Sequence, residues 1–107
     1  MKKYLIKGPY NADGIKGLIQ EGGSSRKIIV EKMLAGMGGK LESFYYAFGE
    51  ADVYLIAELP DDISAAAVGL RVNSTGVVNI STTVLLSPED IDAASKKQVN
   101  YRAPGEK

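Results

Sequence analysis

Two apolar, aromatic-rich runs, residues 41–48 and 53–59, are separated only by Gly49-Glu50-Ala51-Asp52. Parallel strands need a crossover of about a dozen residues or more, so a connection this short makes the runs an antiparallel hairpin. The rest of the chain has to be arranged around it. Residues 3–10 alternate in polarity up to Gly8-Pro9, which predicts a first strand leaving through Tyr10-Asn11-Ala12-Asp13. Ile15, Leu18 and Ile19 then fall at helical spacing, with Asn11 or Asp13 as cap and Gly22-Gly23 as stop. A second helical stretch opens at Ser24-Ser25, carries Ile29/Met33 and Val30/Leu34/Met37 on its apolar face, and closes at Gly38-Gly39.

Beyond the hairpin, Pro60 ends the strand, and Asp61 and Asp62 offer a cap and favourable charge to a helix whose expected buried stripe is Ile63, Ala66, Ala67 and Leu70. Gly76 stops that helix, and the β-branched run 77–86 is a fourth strand. Ser87-Pro88-Glu89-Asp90 is the strongest helix start in the chain; that helix fades at Lys96-Lys97, and residues 98–107 make a polar, extended tail. The order β-α-β-β-α-β plus a C-terminal helix is that of an α+β ferredoxin-like sandwich, one antiparallel sheet with helices on a single face. One domain over residues 1–107 is expected, because half of this length falls near the limit of a self-sufficient core.

Helices cover only one side of such a sheet. On the hairpin Phe44, Tyr46 and Phe48 alternate with Leu41, Tyr45 and Ala47, and Val53, Leu55, Ala57 and Leu59 alternate with Tyr54 and Ile56. The last strand sets Val78, Ile80, Val84 and Leu86 against Val77 and Leu85. An apolar face left open to water is the mark of an interface, so a homodimer through the open sheet face is expected.

Composition narrows the chemistry. The chain has no His and no Cys, which removes zinc fingers, thiolate or imidazole ligation of haem, iron–sulfur clusters on Cys, and triads with an imidazole base. No metal and no cofactor is expected. Thirteen basic residues balance thirteen acidic ones, so no general field favours nucleic acid or an acidic membrane surface. Residues 72–88, the longest uncharged stretch, are interrupted by Asn, Ser and Thr and span no membrane. The two-residue apolar run Leu5-Ile6 is too short for an export signal, and the cytoplasm is the expected location.

Five residues stand out as candidate ligand contacts: Ser24, Ser25, Arg26, Tyr46 and Asp52. Gly22-Gly23-Ser24-Ser25-Arg26-Lys27 joins hydroxyls, cations and the positive end of a helix, a combination that holds a carboxylate or phosphate; the plainer alternative is a Ser cap after a Gly stop. The segment lacks the Gly-Lys-Ser/Thr ending of a nucleotide loop, and Gly36-Met37-Gly38-Gly39-Lys40 lies in the wrong order, helix before strand. Arg26 shares the inward stripe of Val30 and Met33, against the helix dipole, so an ion pair with Asp52, Glu42 or Glu58 is expected. Six of the eight aromatic residues are Tyr, suited to a pocket or an interface rim. The basic, aromatic strand signature of RNA-binding sheets is missing.

The run from Gly38 to Val53, with Ser25-Arg26, Leu59-Pro60-Asp61, Tyr101-Arg102 and Pro104-Gly105, resembles the GYD domain family of small bacterial and archaeal proteins, over nearly the whole chain. Gly49 and Asp52 match the eponymous motif, and Ala51 stands in place of its Tyr. The resemblance implies a dimeric α/β-barrel. Related groups of that architecture include antibiotic-biosynthesis monooxygenases, stress-responsive barrel proteins, muconolactone-isomerase-like enzymes and chlorite dismutase-like haem proteins, the last excluded here by the missing His. Shared architecture does not carry the chemistry with it. Three functions follow as expectations: a homodimer binding a small anionic or aromatic metabolite; a cofactor-independent isomerase or monooxygenase using Arg26 to orient, Tyr46 as acid and Asp52 as base; or an assembly subunit.

Overall fold

The computed structural model describes residues 1–106; Lys107, the last residue of the predicted tail, lies outside the described residues. The elements are β1 (Lys2–Gly8), α1 (Ala12–Glu21), α2 (Gly23–Gly36), β2 (Lys40–Tyr46), β3 (Val53–Leu59), α3 (Asp62–Ser74), β4 (Ser81–Leu85) and α4 (Pro88–Ser95). The hairpin forms as its short connection requires, with Tyr46 opposite Val53, but Ala47 and Phe48, expected in the strand, belong to the connection. β3 also pairs with β1, and β1 with β4, always antiparallel, giving an open four-stranded sheet in the order β2-β3-β1-β4. Alternate residues of the central strands, Tyr4, Ile6, Val53, Leu55, Ala57 and Leu59, form one core with Leu34 of α2 and Ala65 and Val68 of α3. Those two helices therefore share one face of the sheet, and α1 packs on α2.

Four local readings are corrected. The register slips between Leu41 and Ser43, a β-bulge. It turns Leu41 to the core side with Phe44, where strict alternation would have put it opposite. On α3 the buried residues are Ala65 and Val68, whereas Ile63 and Leu70 are 82% and 75% exposed. Asp61 caps Ser64 N–H at 2.8 Å, and Asp62 accepts from the Tyr4 hydroxyl at 2.6 Å. These anchors rotate the helix so that the 65/68/72 stripe faces the sheet. β4 is shorter than the run 77–86, because residues 77–79 cross the end of β1 instead: Asn11 N–H donates to the Val77 carbonyl and Asn79 N–H to the Pro9 carbonyl. Finally, α2 starts at Gly23 with Gly22 as its cap at φ 88°, so neither Ser24 nor Ser25 caps it.

The open face is more polar than alternation suggested. It carries Leu5, Tyr54, Ile56 and Leu85, but also Lys3 paired with Glu42 at 3.1 Å and Lys40 paired with Glu58 at 3.6 Å.

The start of α3 makes stability acid-sensitive. The Ser64 N–H holds the Asp61 carboxyl below its usual 3.8, and the Tyr4 hydroxyl, aided by Lys2, does the same for Asp62. Burial, then the bond to Asp62, pushes the Tyr4 hydroxyl up to about 12. A carboxyl depressed on folding stabilises fully above its unfolded value, and the effect is lost as pH falls through the folded value. Melting temperature should therefore drop below about pH 4, and less steeply in Asp62→Asn. Equal slopes in the two proteins would assign the loss to other carboxylates.

Candidate functional site

Between the sheet and the helices lies a cavity of about 470 Å³. Ile6, Val53 and Leu55 form its floor, Val30, Met33 and Leu34 one wall, and Val68 and Val72 another. Gly17 of α1 borders this space. A β-carbon at Gly17 would meet nothing within 4 Å, so no side chain fills the gap there. The polar residues around this apolar interior are Tyr10, Asp13, Glu21, Arg26, Arg71 and Thr75.

Tyr10, Glu21, Arg26 and Tyr46 make one cluster. Arg26 Nη1 lies 3.4 Å from Glu21 Oε2, a partly exposed pair that leaves the guanidinium able to exchange partners. Burial pushes the Tyr10 phenol up, with Arg26 opposing that shift. Burial likewise raises Tyr46, with Tyr10 adding to the effect and Arg26 again opposing it. Both phenols are therefore protonated at neutral pH, and each has an O–H able to donate. The Tyr46 hydroxyl donates to the Gly23 carbonyl at 3.1 Å, and its ring meets Phe44 edge-on at 5.2 Å, which ties the edge strand to the first turn of α2.

Of the five residues singled out from sequence, Arg26 lines the cavity. Tyr46 stands behind it, against Gly23. Asp52 ties the hairpin connection to the end of β1: its carboxylate accepts the Tyr10 backbone N–H at 2.8 Å, its own N–H donates to the Gly8 carbonyl, and its carbonyl accepts from Ala47 N–H. Ser24 and Ser25 are exposed. The expected partners of Arg26 are taken elsewhere, Glu42 by Lys3 and Glu58 by Lys40, and the carboxylate that Arg26 meets is Glu21. That pairing crosses the Gly22 elbow between α1 and α2, a turn the sequence shows, although the partner was not read from it.

Tyr10, Glu21 and Arg71 were missed. Arg71 carries the clearest unread signal, since positions 68, 71, 72 and 75 share one helix face once α3 is phased correctly. Among the described residues Arg71 has no carboxylate within ion-pair distance. A second recess of about 330 Å³, beside Pro9 and Asn79, is lined by Asn11 and Asn73, whose amides are already bonded to Gly76, Gly14 and Ile80. Among the described residues no group of three or more His, Cys, Asp or Glu side chains is placed to hold a metal ion. No described helix is long and apolar enough to cross a membrane.

No curated protein and no solved structure matches the chain. The family model of the GYD domain matches residues 4–95, from the first core residue of β1 to the end of α4. In the hairpin turn Ala51 is buried, 4% exposed, beside Asp52. With most of its length inside that match, the chain belongs to the GYD domain family.

Proposed function

We propose that the protein is a homodimeric, ferredoxin-like module of the dimeric α/β-barrel type that binds a small molecule with an apolar body and an acidic head group. The cavity carries this reading: about 470 Å³ of mostly apolar lining, with Arg26 and Arg71 among its polar residues. A site of this size suits a compact metabolite, and apolar walls with few polar groups are the usual form of ligand pockets. Arg71 brings a cation without a carboxylate partner among the described residues, and Arg26 can leave its long contact with Glu21 for a ligand carboxylate. Tyr10 adds a neutral donor. The strand order β2-β3-β1-β4, with helices on one face, supports the ferredoxin-like assignment. An open space rather than a solid core counts against a purely structural subunit. Asp52, already bonded to Tyr10 N–H, is poorly placed as a base, so binding is favoured over turnover.

Thermal melts against matched carboxylates and neutral amides, both aromatic and short aliphatic, test the proposal. Carboxylates should raise the melting temperature with concentration, their amides much less. Arg26→Ala and Arg71→Ala should each weaken carboxylate binding by about tenfold or more, the loss of one charge-assisted hydrogen bond. Equal shifts with carboxylate and amide, or none across the panel, would overturn it.

A further inference from the structure

The charged residues around the cavity cancel. Asp13 and Glu21 on α1 stand against Arg26 on α2 and Arg71 on α3. A simple anion therefore meets no net positive charge in the lining. At Arg26 the opposing carboxylate is in contact: Glu21 Oε2 lies 3.4 Å from Arg26 Nη1, and both residues line the cavity.

The helices that carry this pair do not explain it. Glu21 is the last residue of α1, and Arg26 stands in the opening turns of α2. Acids are disfavoured at a helix C-terminus and bases near an N-terminus, so each charge works against the dipole of its own helix. The last turn of α1 holds no base and the first turn of α2 no acid to offset them. Asp13, in the first turn of α1, and Arg71, in the last turn of α3, sit by contrast where the dipoles favour them. Residues that defy local preference in the wall of a cavity are the ones expected to serve a site.

The contact is also incomplete. A well-formed N–H···O bond spans about 2.7–3.2 Å, and this one is longer. A guanidinium has five N–H groups, and a ligand carboxylate can take two of them in parallel. A plain carboxylate bound there would strip Glu21 of its partner and set a second anion beside it. Such an unpaired charge selects against that ligand unless the ligand brings a cation of its own. Val30 and Met33 share the Arg26 face of α2 and begin the apolar wall directly beyond the pair.

We infer that the ligand is an amino acid with an apolar side chain, its carboxylate on Arg26, its ammonium on Glu21 and its side chain in the cavity. The inference rests on the small-molecule reading above and adds an amine to the acidic head group. A space of about 470 Å³ has room for aliphatic and aromatic side chains alike.

Calorimetry on the full chain with L-phenylalanine and L-leucine, each beside its deaminated carboxylate, tests this. At least one amino acid should bind about tenfold or more tightly than its deaminated counterpart, the effect of one further charge-assisted contact. Glu21 is exposed, so Glu21→Gln should keep the fold. It should move the two affinities in opposite directions: the amino acid loses its ammonium partner, while the plain carboxylate gains an Arg26 without a competitor. An amino acid that binds no better than its deaminated counterpart overturns the inference and leaves the carboxylate reading standing. So does a ratio of affinities that Glu21→Gln leaves unchanged. Failure of every one of these compounds to bind overturns both.

Discussion

Leu34→Ala should lower the melting temperature by roughly 10–20 °C, corresponding to about 2–5 kcal/mol for an aliphatic side chain removed from a packed core. Leu34 is completely buried and sits where α2 meets the sheet, within the one cluster that joins both central strands to α2 and α3. It also forms part of the cavity wall. Truncation would extend a space that the surrounding structure already leaves unfilled, so little collapse can offset the loss. A matched Ile19→Ala, at a side chain 77% exposed on α1, should stay within about 0.5 kcal/mol. Chemical denaturation of the pair decides the matter. Similar losses at both positions would mean that α2 does not hold the core as described.

Gly14→Ala should be nearly as damaging, for the opposite reason. Its β-carbon would press into the Val77 carbonyl oxygen and stand 2.8 Å from the Tyr10 ring. Neither neighbour is free to retreat. The Val77 carbonyl accepts the Asn11 N–H at 3.0 Å, and Asn11 in turn caps Gly14 N–H at 2.9 Å. α1 must therefore move outward, at a cost of about 3 kcal/mol, the upper end of the usual overpacking range. Because α1 closes the cavity, carboxylate binding should fall together with stability. Gly17→Ala, one turn on and facing open space, should instead gain up to about 1 kcal/mol from helix propensity. The two substitutions are chemically identical, so opposite signs in one denaturation series would isolate the close approach of α1 to residue 77. A common sign would refute it.

What the residues revealed, and what they hid, follows from which forces act locally. The hairpin was legible because so short a connection permits one geometry, although Ala47 and Phe48 join the turn rather than the strand. The start of α4 was legible because capping lies within one turn of chain. The bulge after Leu41 was not, since alternation read along one strand cannot show where its partner slips. On α3 two apolar stripes interleave, 63/66/67/70 and 65/68/72, and helical period alone does not choose between them; the Tyr4 bond to Asp62, from a strand far away in sequence, does. The site shows the same division. Arg26 could be found because it shares a helix face with Val30 and Met33. Tyr10 and Arg71 reach the cavity from separate elements, and no local pattern announces that convergence. Asp52 was visible as a turn residue, but its carboxylate reaches out of the turn to the Tyr10 N–H, a partner that no local pattern announces.

The strand order also has a consequence in time. β1 lies inside the sheet, with both its edges bonded to strands that follow it much later in the chain, Lys2 to Leu59 and Lys3 to Leu85. During synthesis it is therefore made before either neighbour exists. Its alternating polar and apolar residues must wait, unpaired, until the hairpin and then β4 have left the ribosome. Long-range pairing of this kind makes folding slow and exposes an incomplete sheet to other chains. Lys2, Lys3 and Lys7, spaced along that waiting strand, supply the charge that discourages premature pairing with a second nascent chain.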